Sequence, residues 1–274
     1  MAQKQLQSDY SYPRPFSHSS LSVFDKCPAQ FRFYYLERIE KPQESIEAYL
    51  GKRVHEALEF LYRKVMDGHI PSFDMLVEYF HDLWEAGWHN QVVFVNQHLP
   101  RSEYQQTGEK CLAWYYRKYF PFDEPVVSVE EELVFNLDED DNYPIKGVLD
   151  RVQHDGNGKW GIHDYKTSKR RMSQAAADKD RQLALYQLGL QQLKDHVEDV
   201  RLVWHFVRTG DTVESKRNET QLKELIRETK NKIDIIRQTI SRGGPFQAIE
   251  TPLCNWCYYW EECQIKNTNN PFVQ

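Results

Sequence analysis

Two short segments constrain this chain most: Gly147-Val148-Leu149-Asp150 and His163-Asp164-Tyr165-Lys166. Apolar residues surround both. Between them lies His154-Asp155-Gly156-Asn157-Gly158-Lys159, a run of turn formers. That pattern predicts two antiparallel strands joined by a turn. Such a hairpin sets Asp150 beside Asp164, and the two-residue period of a strand puts Lys166 on the face of Asp164. Two carboxylates and an ammonium on one sheet face form a candidate magnesium site with a lysine beside it, an arrangement suited to phosphodiester hydrolysis. Asp150 ends an apolar strand, where an unpaired acid is costly to bury.

The bulk numbers narrow the class. Hydrophobic residues make up 40% of the 274 and charged residues 28%, which predicts a soluble globular protein with a substantial core. No apolar run approaches the ~20 residues of a membrane span, and the N-terminus lacks a signal-peptide pattern. The expected location is the cytoplasm, with no membrane partner. A net charge of −6 gives no general pull toward nucleic acid, so contacts of that kind need local patches. Lys169, Arg170 and Arg171 follow Lys166, and Arg151 follows Asp150, so these four are candidates to grip a strand backbone. Arg32, Arg38, Trp256, Tyr258, Tyr259 and Trp260 offer further charge and stacking surface for single-stranded DNA, with more of the rings expected to pack than to touch bases.

Along the chain, residues 1–16 read as a flexible arm. Residues 17–124 read as a helical part, with possible caps at Ser17–Ser20 and helices over 46–66, 73–89 and 103–120. At Pro125 the pattern turns to strands: Val126–Leu137, the two bearing Asp150 and Asp164, and Val200–Val207. Residues 173–196 and 218–241 read as helices, the second ending at Gly243-Gly244-Pro245. Residues 125–245 thus form a core and 246–274 a cysteine-rich segment, all within one integrated domain over 17–265. The class is mixed α/β, a small mixed sheet flanked by helices.

Other residues join the acids. Gln182 and Tyr186 lie four apart and share a helix face. His55 flanks the apolar stripe of its helix, where an imidazole can reach a metal. The Tyr165 carbonyl, between Asp164 and Lys166, is a further candidate ligand. The five cysteines are an odd count, which in a cytosolic chain argues for metal ligation over disulfides. Cys254-x2-Cys257-x5-Cys263 looks like a soft-metal set. Cys27, before Pro28, is distant in sequence, and Cys111 reads as a core residue. The spacing is not that of a zinc ribbon, yet zinc stays open on chemistry alone.

Taken in order, Gly51-x-x-x-His55, Gly147-x-x-Asp150-Arg151, Asp164-Tyr165-Lys166-Thr167 and Gln182-x-x-x-Tyr186 resemble the RecB-type branch of the PD-(D/E)xK nucleases. The matched span runs from about Cys27 to Cys263. The resemblance implies a restriction-endonuclease-like core sheet, with His55, Asp150 and Asp164 as ligands of Mg2+ or Mn2+ and Lys166 as the catalytic lysine. Gln182 and Tyr186 would support them. A glutamate on the first core strand is also implied, and alternation only groups Glu130 with Glu132 against Glu131. Cys27 with Cys254, Cys257 and Cys263 is similar to the iron–sulfur members, which include CRISPR adaptation exonucleases and the nuclease domain of AddB. These four would hold a 4Fe–4S cluster as a staple. The implied activity is a DNA exonuclease acting on single strands or ends, in repair, recombination or CRISPR adaptation. Its partner would be DNA, with a helicase or a CRISPR adaptation protein alongside. A non-catalytic DNA-binding or assembly subunit is the alternative.

Overall fold

A computed structural model of the chain describes Tyr12, residues 15–96 and residues 98–266. In chain order it begins with β1 (Phe16–Ser17), α1 (His18–Lys26), α2 (Pro28–Phe31) and a π-helical turn over Arg32–Leu36. Then come β2 (Glu44–Ser45), α3 (Ile46–Met66), α4 (Phe73–Ala86), β3 (Val92–Val93) and α5 (Arg101–Tyr119). Strands β4 (Val126–Asn136), β5 (Pro144–His154) and β6 (Lys159–Lys166) follow, with α6 (Gln174–Ala177) and α7 (Gln182–Leu193) after them. The chain continues through β7 (Asp199–Phe206), β8 (Asp211–Ser215), α8 (Glu219–Ser241) and a 3-10 turn over Pro252–Trp256. No described helix is long and apolar enough to cross a membrane. The class is mixed α/β, as expected.

The described residues form two compact units. One comprises Glu44–Leu133 and Val148–Leu222. Its helix α3 starts at Ser45, whose side chain accepts the Ala48 N–H. The expected stripe Leu50, Val54, Leu58 and Leu61 is buried, together with Tyr49, Phe80, Trp84 and Tyr115. Strand β6 pairs antiparallel with β5 and parallel with β7, and β7 pairs antiparallel with β8. The β5–β6 turn is closed by Asp155, which accepts the N–H groups of Asn157 and Lys159 at 2.7 and 3.1 Å. Gly156 and Gly158 take left-handed backbones there, with φ of 82° and 79°, which only glycine adopts without strain.

Two elements of this unit depart from expectation. The helix expected over 173–196 is broken between α6 and α7. Asp178 is drawn to Ser215 and Gln174, and Asp180 turns back to accept the Gln182 N–H at 2.9 Å, so the chain restarts its helix at Gln182. Strand β8 was not anticipated. Its signal is the Thr209-Gly210 turn after β7, with Gly210 at φ 82°.

The other unit comprises the described residues up to Gln43, with Val134–Gly147 and those from Lys223 on. Of the arm expected over 1–16, most lies outside the described residues. Tyr12 is buried and stacks on Phe16 at 4.2 Å. Ser17 caps α1 in a reciprocal pair with Ser20. Phe16 and Ser17 pair parallel with Ile145 and Lys146. On α8, Asp234 accepts the Tyr143 hydroxyl at 3.0 Å and Lys232 meets Asp25 at 2.5 Å. A small core of Ala29, Phe33 and Tyr259 gathers Cys27, Cys257 and Cys263 around it.

Candidate functional site

The last registered pair of the β5–β6 ladder is Arg151 with His163. Continuing that register places Asp150 opposite Asp164. Here the ladder opens, and the Asp150 carboxylate accepts the Tyr165 N–H at 2.7 Å. The His55 ring bridges the same point. Its Nδ1 lies 3.4 Å from Asp150 Oδ2 and its Nε2 lies 2.8 Å from the Tyr165 carbonyl. Gly51, one turn earlier on α3, permits this approach, since a Cβ there would meet Thr167 Oγ1 at 3.2 Å. The ligand atoms of His55, Glu130 and Asp150 lie within 4.8 Å of one another.

The structure separates the three consecutive glutamates. Glu130 has a left-handed backbone, φ 48°, in mid-strand, a conformation that costs a non-glycine residue about 1–3 kcal/mol and clusters at functional sites. Glu130 and Glu131 are both half-buried, so simple alternation fails at this point. Glu131 pairs with Lys194 at 2.6 Å and is hydrogen-bonded by Ser128, while Glu132 is exposed. The alternation argument had no means of seeing the left-handed residue.

Lys166 lies 3.0 and 2.7 Å from the two carboxylate oxygens of Asp164 and donates to Gln182 Oε1 at 3.0 Å. Gln182 Nε2 donates to Asp164 Oδ1 at 2.8 Å, closing a triangle. Tyr186, one turn on, is buried and hydrogen-bonded with the Gln182 side chain, and burial raises its pKa. All the expected residues of this set therefore converge. Asp180 is one that sequence reasoning missed. Its carboxyl is raised, mainly by burial, and it faces the charges of Asp164 and Lys166 while holding the start of α7.

The electrostatics mark a site short of positive charge. Burial, and then Asp164, raise Asp150 well above the usual carboxylate range, against the Tyr165 N–H and Lys166. Burial, with Asp150 next, pushes Glu130 up to about 7. For Lys166 burial acts downward, but the contact with Asp164 prevails and its pKa is raised. Oxygen-rich ligands around one imidazole, with carboxylates that repel one another, fit a hard divalent cation.

Behind Asp150 the sheet carries a second polar set. Arg151 is fully buried and reaches Glu124 at 2.9 Å and His163 Nδ1 at 2.7 Å, with its guanidinium 4.4 Å from the Tyr62 ring centre. His163 Nδ1 lies 2.8 Å from His205 Nε2, and His205 Nδ1 lies 2.9 Å from the Tyr119 hydroxyl. Burial, then the Arg151 charge, holds both histidines well below their usual pKa. Arg151 cannot grip a nucleic-acid backbone, contrary to expectation, because it is sealed under aromatic rings. Lys169, Arg170 and Arg171 are exposed in the loop after β6.

In the other unit Cys27, Cys254, Cys257 and Cys263 line one cavity of about 120 Å³. All four are free thiols. Burial, and then the other three sulfurs, push Cys257 up to about 11. The Thr251 N–H donates to Cys254 Sγ at 3.4 Å, and Trp260 Nε1–H donates to the Cys254 carbonyl at 2.8 Å. The cavity is several times the ~30 Å³ share of one water, so it has room for a multi-atom inorganic group. Cys111 stands apart in the aromatic core, its thiol pushed up to about 12 by burial. Of the four aromatics near these cysteines, Tyr259 and Trp260 are buried and Trp256 is exposed.

The chain matches a family model, the PD-(D/E)XK nuclease superfamily, over residues 15–264. A search of curated proteins found no match. Among solved structures it is similar to a Eubacterium rectale protein provisionally named an exonuclease, with a TM-score of 0.54 and 10% identity over 93% of this chain and 87% of that one. It is also matched to the structure named SSO0001, with a TM-score of 0.37 and 17% identity over 80% of this chain and 95% of that one.

Proposed function

Since the chain belongs to the PD-(D/E)XK nuclease superfamily, we propose that it is a metal-dependent DNA exonuclease of the RecB-like type, acting on single strands or DNA ends. The observation that carries this is the convergence of His55, Glu130, Asp150, Asp164 and Lys166 at the point where the β5–β6 ladder opens. His55, Glu130, Asp150, Asp164 and the Tyr165 carbonyl are the groups that would hold Mg2+ or Mn2+. When bound, such a cation polarises the scissile phosphate and lowers the pKa of water beside it.

The chain's own residues do the rest. Lys166 stays an ammonium at neutral pH, because Asp164 outweighs burial. It is therefore a donor that orients the attacking water and offsets charge developing on phosphorus, not a base. Gln182 fixes its direction by accepting from Nζ while donating to Asp164, so the ammonium is placed before substrate arrives. Asp180 anchors the first turn of α7 and thereby Gln182.

The thiol pocket would hold a 4Fe–4S cluster. The four cysteines share one pocket of about 120 Å³, which has room for several atoms. Binding Cys27 together with Cys254, Cys257 and Cys263 would close a loop spanning most of the chain, which is a stabilising role. Within the cell we assign the protein to DNA repair or recombination.

The test is anaerobic purification followed by incubation with end-labelled single- and double-stranded DNA and Mn2+, beside Asp164→Ala and Lys166→Ala. Progressive shortening by the parent protein and none by either variant is expected. A folded, brown protein that binds DNA and never cuts it would replace this reading with that of a binding subunit.

A further inference from the structure

Beside the thiol pocket, the described residues enclose a groove of about 940 Å³, lined by Tyr34, Tyr35, Arg38, Ile39, Tyr258 and Tyr259 among others. Three features of its wall are unusual. The turn presenting Tyr34 is π-helical, closed by the Glu37 N–H on the Arg32 carbonyl at 2.9 Å. Such turns are rare and occur frequently at functional sites. Arg38 holds a left-handed backbone, φ 53°, which for an arginine is strained. Tyr34 is 57% exposed, although it is a large ring that would otherwise be drawn inward.

The wall is also braced. Tyr34 meets Tyr35 edge-on at 4.6 Å, and Tyr35 packs on Phe31 at 5.1 Å. The buried Tyr259 donates its hydroxyl to the Ile39 carbonyl at 3.2 Å, and Ile39 N–H returns to Phe33 at 2.9 Å. Lys41 is held by Glu261 and Glu262 at 3.3 and 2.8 Å. The rings thus stand fixed before any ligand arrives, which lowers the cost of binding.

We propose that this groove is a stacking site for unpaired bases of single-stranded DNA, with Arg38 on the adjoining phosphate. The proposal rests on the reading of the chain as acting on DNA. The exposed face of Tyr34, with the half-buried Tyr35 and Tyr258 beside it, suits bases of any identity, and the exposed Arg38 suits the phosphate between two of them. The charges explain the expected character of binding. Lys41 is neutralised by its two glutamates and Glu40 lies on the same rim. Arg38 is therefore the one cation of the groove's rim with no ion pair among the described residues. Stacking then dominates, and the salt dependence is shallow, with a slope of about one counterion.

The test uses the full chain in EDTA, so that binding is read without cleavage. Fluorescence anisotropy follows a labelled oligothymidylate and an abasic strand of the same length, with the parent protein, Tyr34→Ala, Tyr34→Phe and Arg38→Gly. Tyr34→Ala should weaken oligothymidylate binding roughly ten-fold, and Tyr34→Phe should hold it within about two-fold, because the ring face is kept. The abasic strand should bind the parent protein as weakly as oligothymidylate binds Tyr34→Ala, and should lose nothing further in that variant. Arg38→Gly keeps the left-handed backbone and should flatten the remaining salt slope. Equal affinity in the parent protein and Tyr34→Ala, or an equal loss on the abasic strand, would overturn the groove while leaving the nuclease reading intact. A parent protein that neither binds nor, with Mn2+, cuts any DNA would overturn both.

Discussion

The two candidate metal centres of this molecule are built on opposite principles. In the carboxylate site Asp150 accepts from the Tyr165 N–H, Asp164 is held by Lys166 and Gln182, and His55 meets the Tyr165 carbonyl. The geometry is kept by a sheet ladder and two helices whether or not a cation is there. In the thiol pocket the sulfurs surround a cavity and gain only weak contacts, such as the Thr251 N–H and the Ile249 carbonyl at Cys254, and the Cys27 segment meets the other three through that cavity, a small aromatic core and the Tyr259 and Lys41 contacts. The first is a rigid template that a reagent enters. The second, on the proposed reading, is a seam that a cluster would close. Loss of the guest should therefore silence one site and loosen the other.

Removing the lysine gives the largest expected effect. Lys166→Ala should lower cleavage by at least about 10²–10³-fold, the scale of a lost transition-state donor, with the thermal midpoint in Mn2+ nearly unchanged. A variant that melts many degrees lower would mean that Lys166 holds the sheet end together, and the template description would fail. Arg151→Met comes next. Leaving Glu124 and His163 without the guanidinium should cost about 3–5 kcal/mol in urea denaturation. Cys257→Ala should follow, losing visible absorption and costing about 3 kcal/mol through the reopened loop. Chelating the divalent cation from the parent protein should cost only about 1–2 kcal/mol at metal concentrations some tens of times Kd. If EDTA destabilised the chain more than the cysteine substitution, the assignment of seam and template would be reversed.

How legible all this was depends on the range of the interaction. The β5–β6 hairpin was readable because Asp155, Gly156 and Gly158 carry their own turn chemistry, and the register it fixes sets Asp150 against Asp164. The face shared by Asp164 and Lys166 follows from strand period alone. The convergence of His55 and of Gln182 was reached through the order of the motifs, since local chemistry does not say that α3 passes close enough for Gly51 to touch Thr167. What escaped were effects set by tertiary context. Glu130 is selected by a left-handed residue inside a strand that no propensity foretells. Arg151 read as a surface cation because it follows Asp150 at the candidate site, while the residues that bury it, Tyr62 and Tyr119, lie on α3 and α5. Asp180 was hidden in the polar run Asp178–Gln182, which the apolar residues from Leu183 onward draw into one expected helix.

The smallest effect is the one that isolates the template by pH. Arg151 only donates, so His163 Nδ1 accepts from it, and His205 Nε2 lies 2.8 Å from that nitrogen and 3.5 Å from the guanidinium. His205 Nδ1 meets the Tyr119 hydroxyl at 2.9 Å. Both rings are neutral in this arrangement, and a proton on either would set a cation against the guanidinium. Their folded pKa values lie well below the ordinary 6.5, whereas the unfolded chain titrates near it. As pH falls through 6.5 the unfolded state takes up protons that the folded state refuses, so the stability present above 6.5 is progressively lost below it. Each histidine adds a slope of up to about 1.4 kcal/mol per pH unit. Glu130 and Asp150, raised in the folded state, take up protons over the same range and act in the opposite sense, so the histidines are read by difference: between pH 7.5 and 5.0 the urea midpoints of His163→Gln with His205→Gln should lose up to about two protons of the parent's slope. Hydrogen exchange should show the loss in α3, α5 and β5–β7, with the cysteine segment keeping its protection. A slope unchanged in the double variant would place the acid-sensitive groups elsewhere, and the polar set behind Asp150 would no longer distinguish the template from the seam.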